Sequence, residues 1–179
     1  AWYAVQVHQT KFLIDVGISP SFAAVALGLV GLTGIGGQIC VGHLSDKIGR
    51  EWGWTVSLLG FFLTYFLLQI ISEVPSEIIV YLMVGAQGFM GYGLASVFGT
   101  VPAELFGGKR YGVIFGTLGA FAGTGAALGP WATGWLFDLR GNYYMAFNVA
   151  MGMCLISIAA MWLASPRKVR LVAGRVPEN

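Results

Sequence analysis

Charged positions along the chain are bunched, and long stretches without any charge separate the bunches: 21–42, 52–72, 78–103, 111–137 and 141–166. Each stretch is long enough to cross a bilayer as a helix, which takes about 20 apolar residues. Lipid offers the backbone no hydrogen-bond partner, so a helix is the form expected of each. The opening residues AWYAVQVHQTKFLI would make a helix of only ~21 Å, short of a ~30 Å hydrocarbon core. They read as a further span whose start lies outside the sequence. The expected fold class is therefore an all-α membrane protein with six transmembrane helices, at about 1–14, 21–42, 52–72, 78–103, 111–137 and 141–164. These form one half-domain over 1–166, followed by a basic tail over 167–179. With no initiator Met, the chain is expected to be a piece of a larger membrane protein.

Composition agrees. Of 179 residues 56% are hydrophobic and 10% charged, against roughly 25% charged in a soluble domain, too few for a surface facing water. The two cysteines, Cys40 and Cys154, sit at different depths of different spans and read as small packing residues rather than a disulfide.

Net charge, +2, gains meaning only when divided between the two sides. Alternating spans put Lys47, Arg50, Lys109, Arg110, Arg167, Lys168, Arg170 and Arg175 on one side, eight of ten basic residues. That side is expected to be cytoplasmic. The expectation is a multi-pass protein of the plasma (cytoplasmic) membrane with a cytoplasmic C-terminus.

Glycine bears on which helices touch, because small residues let membrane helices approach closely. The second, fourth and fifth spans are rich in it, whereas Gly60 and Gly152 stand amid the bulky third and sixth. Spans two, four and five are accordingly expected to pack against partners, and three and six to face lipid. Within the fifth, Gly129-Pro130 removes the backbone donor to Ala126 and marks either a fixed kink or a hinge.

The stretch GHLSDKIGR, residues 42–50, gathers an acid, two bases, a histidine and two glycines between two apolar runs. Gly42 and Gly49 suit close approach and a tight turn. Asp46 is placed to cap a neighbouring helix N-terminus, with the fifth span, which starts near Tyr111, as its natural partner. Lys47 and Arg50 can pair with Glu51, Glu104 or Asp46. Such a knot would latch the ends of helices in one conformation and release them in another.

Gly42, Leu44, Asp46, Lys47, Gly49 and Arg50, with Ser45 at a small-residue place, resemble the signature loop of the major facilitator superfamily. Glu51 departs from it, standing where a base is usual. AELFGGKRYG and GAALGPWATGWLFDLRGNYYMAF are similar to later parts of that family's second half, the latter to its carboxylate-transporting members. The resemblance implies the C-terminal six-helix half of a two-half bundle, whose N-terminal six-helix half would be a partner. It implies a secondary transporter working by alternating access, with the first and fourth spans at the central cavity and the second and fifth flanking. The buried cation that carboxylate-transporting members often carry on the helices matching spans two and five is absent here.

Candidate solute contacts are Lys11 and His8, on one face of the first span with Asp15, and Gln87, Tyr92 and Thr124 in the fourth and fifth. An ionisable group at membrane depth is by default a functional candidate; Lys11 could instead snorkel or pair with Asp15. The expected solute is a small organic anion. The expected partners are that solute, the bilayer and a coupling proton. Neither nucleic acid, metal nor another cofactor is expected. His8 has no acid, cysteine or second histidine at its depth, which argues against an intramembrane enzyme. A sensor or scaffold that keeps the transporter fold is the alternative.

Overall fold

A computed structural model describes residues 2–106 and 108–164; the basic tail expected over 167–179 lies outside the described residues. The helices are α1 (Trp2–Asp15), α2 (Pro20–Ile48), α3 (Arg50–Glu73), α4 (Glu77–Val84), α5 (Leu94–Phe106), α6 (Tyr111–Arg140) and α7 (Tyr144–Ala164). A π-helical turn (Gly85–Met90) and a 3₁₀ turn (Gly91–Gly93) join α4 to α5, so Glu77–Phe106 forms one irregular span. By length and composition, five helical segments are able to cross a membrane: α2, α3, the α4–α5 span, α6 and α7.

Local chemistry sets the boundaries. Gly17, with φ 97°, turns the chain after α1. Ser19 then caps α2, its hydroxyl accepting from the Phe22 amide at 3.3 Å, and Pro20 takes the first turn, where its missing N–H costs nothing. At its far end α6 stops at Gly141, in the left-handed conformation (φ 68°), whose amide bonds back to the Phe137 carbonyl. The short links make consecutive spans antiparallel. One end of the bundle, the Gly49 end, thus carries the α2–α3 and α5–α6 junctions; the other, the Gly141 end, carries α1–α2, α3–α4 and α6–α7.

The core centres on α3, where Phe61, Tyr65, Leu68 and Ile71 are at most 2% exposed. They pack with Val30 of α2, Val80 and Met83 of α4, and Phe147 and Cys154 of α7. This corrects the expectation that the third span faces lipid: over half of its apolar stretch is buried, the largest share of any span. Only a stripe containing Leu59, Leu63 and Phe66 is exposed. Core and lipid are equally apolar, so a helix that serves both is bulky all round and shows no polar face. α7 exposes Met153, Ile156 and Leu163 on one side while burying Phe147 and Cys154 on the other.

Glycines weld the irregular span between α2 and α3. A Cβ on Gly37 would stand 2.4 Å from the Phe89 carbonyl oxygen, one on Gly88 2.7 Å from that of Val30, and one on Gly60 2.6 Å from the Gly91 nitrogen. Backbones meet here with no room for a side chain. The fifth span behaves otherwise. A Cβ on Gly112, Gly116, Gly119, Gly123 or Gly125 of α6 would meet nothing within 4 Å, and among the described residues none of the apolar stretch of α6 is buried. The expectation that these glycines are packed is therefore corrected for this unit. Glycine permits approach but does not say to what.

Candidate functional site

At the Gly49 end the residues of GHLSDKIGR are helical rather than looped. α2 continues through Asp46 and Lys47 to Ile48, only Gly49 leaves the helix, and α3 begins at Arg50. Gly49 has φ 117° and ψ 148°, a region that side-chain-bearing residues rarely enter. The break is so short that Asp46 and Arg50 keep their one-turn spacing, with Arg50 Nη1 2.5 Å from Asp46 Oδ1. The same guanidinium donates to Ser45 Oγ at 2.7 Å. Its Nε and Nη2 each stand 2.9 Å from Glu104 Oε1 on α5. Arg50 thus binds α2 to α5 from the start of α3. Gly42 faces the same partner span: a Cβ there would lie 3.3 Å from Ser96. The expected cap of the fifth span by Asp46 is corrected. The N-cap of α6 is Arg110, with no side-chain cap bond, because Arg50 holds Asp46. Lys47 is exposed.

In the interior, α1 lies between the fourth span and α6. Gln6 donates to the Tyr92 hydroxyl at 2.5 Å and Gln9 to Met83 Sδ at 3.2 Å. His8 Nε2 is 3.2 Å from the Pro130 carbonyl, and its ring is 5.9 Å from that of Tyr143. Lys11 Nζ is 2.7 Å from Asp15 Oδ2, with 65% of the lysine side chain exposed. α6 runs through Gly129-Pro130 as a single helix.

The five sequence candidates are not gathered into one pocket. Tyr92 reaches α1 through Gln6, while His8 turns to α6 and Lys11 stays on its own helix with Asp15. Thr124 donates to the Ala120 carbonyl at 2.9 Å on the exposed side of α6. Gln87 is 3% exposed inside the π turn, and its Oε1 has no hydrogen-bond partner among the described residues; the Oε1 of Gln9, 1% exposed, is in the same condition. Buried amide oxygens without partners are costly, and π turns recur at functional sites. Gln6 and Gln9 are the residues the sequence reading passed over. Their signal is two amides three residues apart on a helix otherwise largely apolar.

A family model described as Major Facilitator Superfamily matches residues 6–178. The chain belongs to the major facilitator superfamily. With five segments able to cross a membrane, this superfamily chain is a multi-pass membrane protein. It is 33% identical over 141 residues to the class H tetracycline resistance protein of Pasteurella multocida, covering 78% of this chain and 34% of that one. It is 28% identical to monocarboxylate transporter 13 of Bos taurus (92% of this chain, 38% of the relative). It is 24% identical to a benzoate transport protein of Acinetobacter baylyi (93% and 35%). The chain spans about a third of the length of these relatives. No solved structure matches it.

Proposed function

We propose that this superfamily chain forms one half of a secondary transporter that moves a small organic anion by alternating access against a second six-helix half. The observation that carries the anion is Lys11. Among the described residues its one ion-pair partner is Asp15, on the same helix, and most of its side chain is exposed. A pair so held can exchange its acid for a solute carboxylate without rupturing any contact between helices. His8, on the same helix, is a candidate for proton or solute contact. Gln87, Tyr92 and Thr124 would supply hydrogen bonds. The names of two relatives, a monocarboxylate transporter and a benzoate transport protein, support a carboxylate; the name of the tetracycline resistance protein does not.

Alternating access needs ends that part and rejoin around a central site. The Arg50 cluster supports this, since it adds charge contacts to the packing of α2 on α5 at the Gly49 end. Basic residues at the Gly49 end support a cytoplasmic orientation for that end. The test is uptake by the complete protein in proteoliposomes, with a panel of small carboxylates under imposed proton gradients. Accumulation of at least one carboxylate is expected. Uptake of none would favour a sensor or scaffold.

A further inference from the structure

A cavity of about 500 Å³ lies among α3, α5, α6 and α7, with Tyr3 of α1 at its edge. Lys11, His8, Gln87 and Thr124 do not line it, so it is separate from the proposed solute contacts. Trp54 and Phe61 of α3 and Phe98 of α5 form its inner wall; Ala122 and Gly125 of α6 and Met153 of α7 form its outer one. None of its lining residues is charged, and two of its polar groups satisfy each other, the Trp54 indole donating to Ser157 Oγ at 3.2 Å. An organic anion would lose its hydration here and gain no cation. Apolar cavities stay dry and take apolar guests.

The position of the mouth identifies the guest. Phe61 is 1% exposed, whereas Met153 is 54% and Tyr3 51% exposed, and Ala122 and Gly125 are exposed as well. The cavity therefore opens along α6, toward α7 on one side and toward α1 on the other. Ala122 and Gly125 stand midway along Tyr111–Arg140, and Met153 midway along Tyr144–Ala164. Midway along a spanning helix is the centre of the bilayer, where the surrounding medium is hydrocarbon. The walls are also loosened at this level. Phe98 and Ala126, both lining residues, are each followed four positions on by a proline, Pro102 and Pro130, so their carbonyls lose the usual helical donor. We propose that this cavity is a lateral site for one acyl chain of a bilayer phospholipid, entering between α6 and α7 and lying against Trp54, Phe61 and Phe98. The chain fills a void whose walls otherwise lack dispersion partners.

The test uses the complete protein in phosphatidylcholine nanodiscs doped with a phosphatidylcholine that carries a diazirine midway along one acyl chain. After irradiation, adducts are mapped by peptide mass spectrometry. The expected result is labelling at Phe61, which annular lipid cannot reach. In Gly125→Leu, which extends a side chain from a position where a Cβ meets nothing within 4 Å, the yield should fall about tenfold, equivalent to about 1.4 kcal/mol. Ala122→Leu serves as a second filling variant should Gly125→Leu fail to fold. Gly112→Leu, on the same helix but outside the lining, should leave the yield unchanged. Labelling confined to outward residues such as Leu163 and Ile156, or a yield indifferent to both filling variants, overturns the proposal.

Discussion

Arg50 Nη2 and Glu104 Oε1 stand 2.9 Å apart, joining the first residue of α3 to the last turn of α5. Asp46 holds the same guanidinium from α2, and only 11% of the Arg50 side chain is exposed. Exposed ion pairs contribute about 0.2–1 kcal/mol, and Asp46, half exposed, belongs in that range. Arg50→Ala leaves two acids facing each other without their common cation. It should open the Gly49 end more than Asp46→Asn or Glu104→Gln does. Thiol labelling of a cysteine introduced at Ala103 in the complete protein reads this directly. Faster labelling in all three variants, greatest in Arg50→Ala, is expected; equal rates in wild type and variants would leave the cluster a mere orientation signal.

Gly49 is the hinge point of that cluster. Its φ of 117° and ψ of 148° fall where residues other than glycine pay about 1–3 kcal/mol. Gly49→Ala should lower thermal stability and also slacken the Asp46–Arg50 pair, whose spacing depends on the single-residue break. A melting temperature and a labelling rate both equal to wild type would show that the turn relaxes without strain.

Glycine substitutions should divide by what a Cβ meets. Gly37→Ala drives a methyl against the Phe89 and Gly88 carbonyl oxygens, at 2.4 and 2.6 Å. Backbone cannot swing aside as a side chain can, so overpacking on the order of 1–3 kcal/mol is expected, and Gly37→Leu should abolish assembly. Gly152→Leu should be tolerated. Within this six-helix unit Gly123→Leu should be tolerated too, since nothing lies within 4 Å. Detergent melting curves decide. A Gly123→Leu melt as low as that of Gly37→Ala would mean that α6 is packed closely after all.

The parts of the fold that were legible in the sequence are those written as contrast. Charge-free stretches marked the long helices because a bilayer tolerates few charges. Burial was not legible, because apolar core and apolar lipid ask for the same residues; Phe61 and Phe66 are both phenylalanines on α3, one buried and one exposed. The latch was half legible. Arg50 and its acids could be named, but the choice of Arg50 rather than α6 as partner of Asp46 depends on the helix running on to Ile48. Gln6 and Gln9 escaped notice beside the ionisable His8 and Lys11 of the same helix, although burial makes the partners of an amide matter as much.

Lys11 offers the sharpest division between readings of α1. Its ammonium is 2.7 Å from Asp15 and largely exposed, so the pair by itself contributes little to stability and either residue can be changed without unfolding the unit. If pairing with Asp15 is the whole role of Lys11, Lys11→Ala strands an acid, and adding Asp15→Ala should restore uptake by removing it. If Lys11 receives the carboxylate of the solute, the double variant stays inactive, while Lys11→Arg, which keeps the charge, retains part of the uptake. The second pattern is expected. His8→Gln preserves a donor toward the Pro130 carbonyl but cannot take up a proton. It should therefore keep solute binding while flattening any dependence of uptake on an imposed proton gradient. Uptake and competition binding measured on the same proteoliposome preparations separate these cases. Full rescue in the double variant, or normal uptake in Lys11→Ala alone, would make Lys11 a snorkelling lysine and remove the anion from the proposed function.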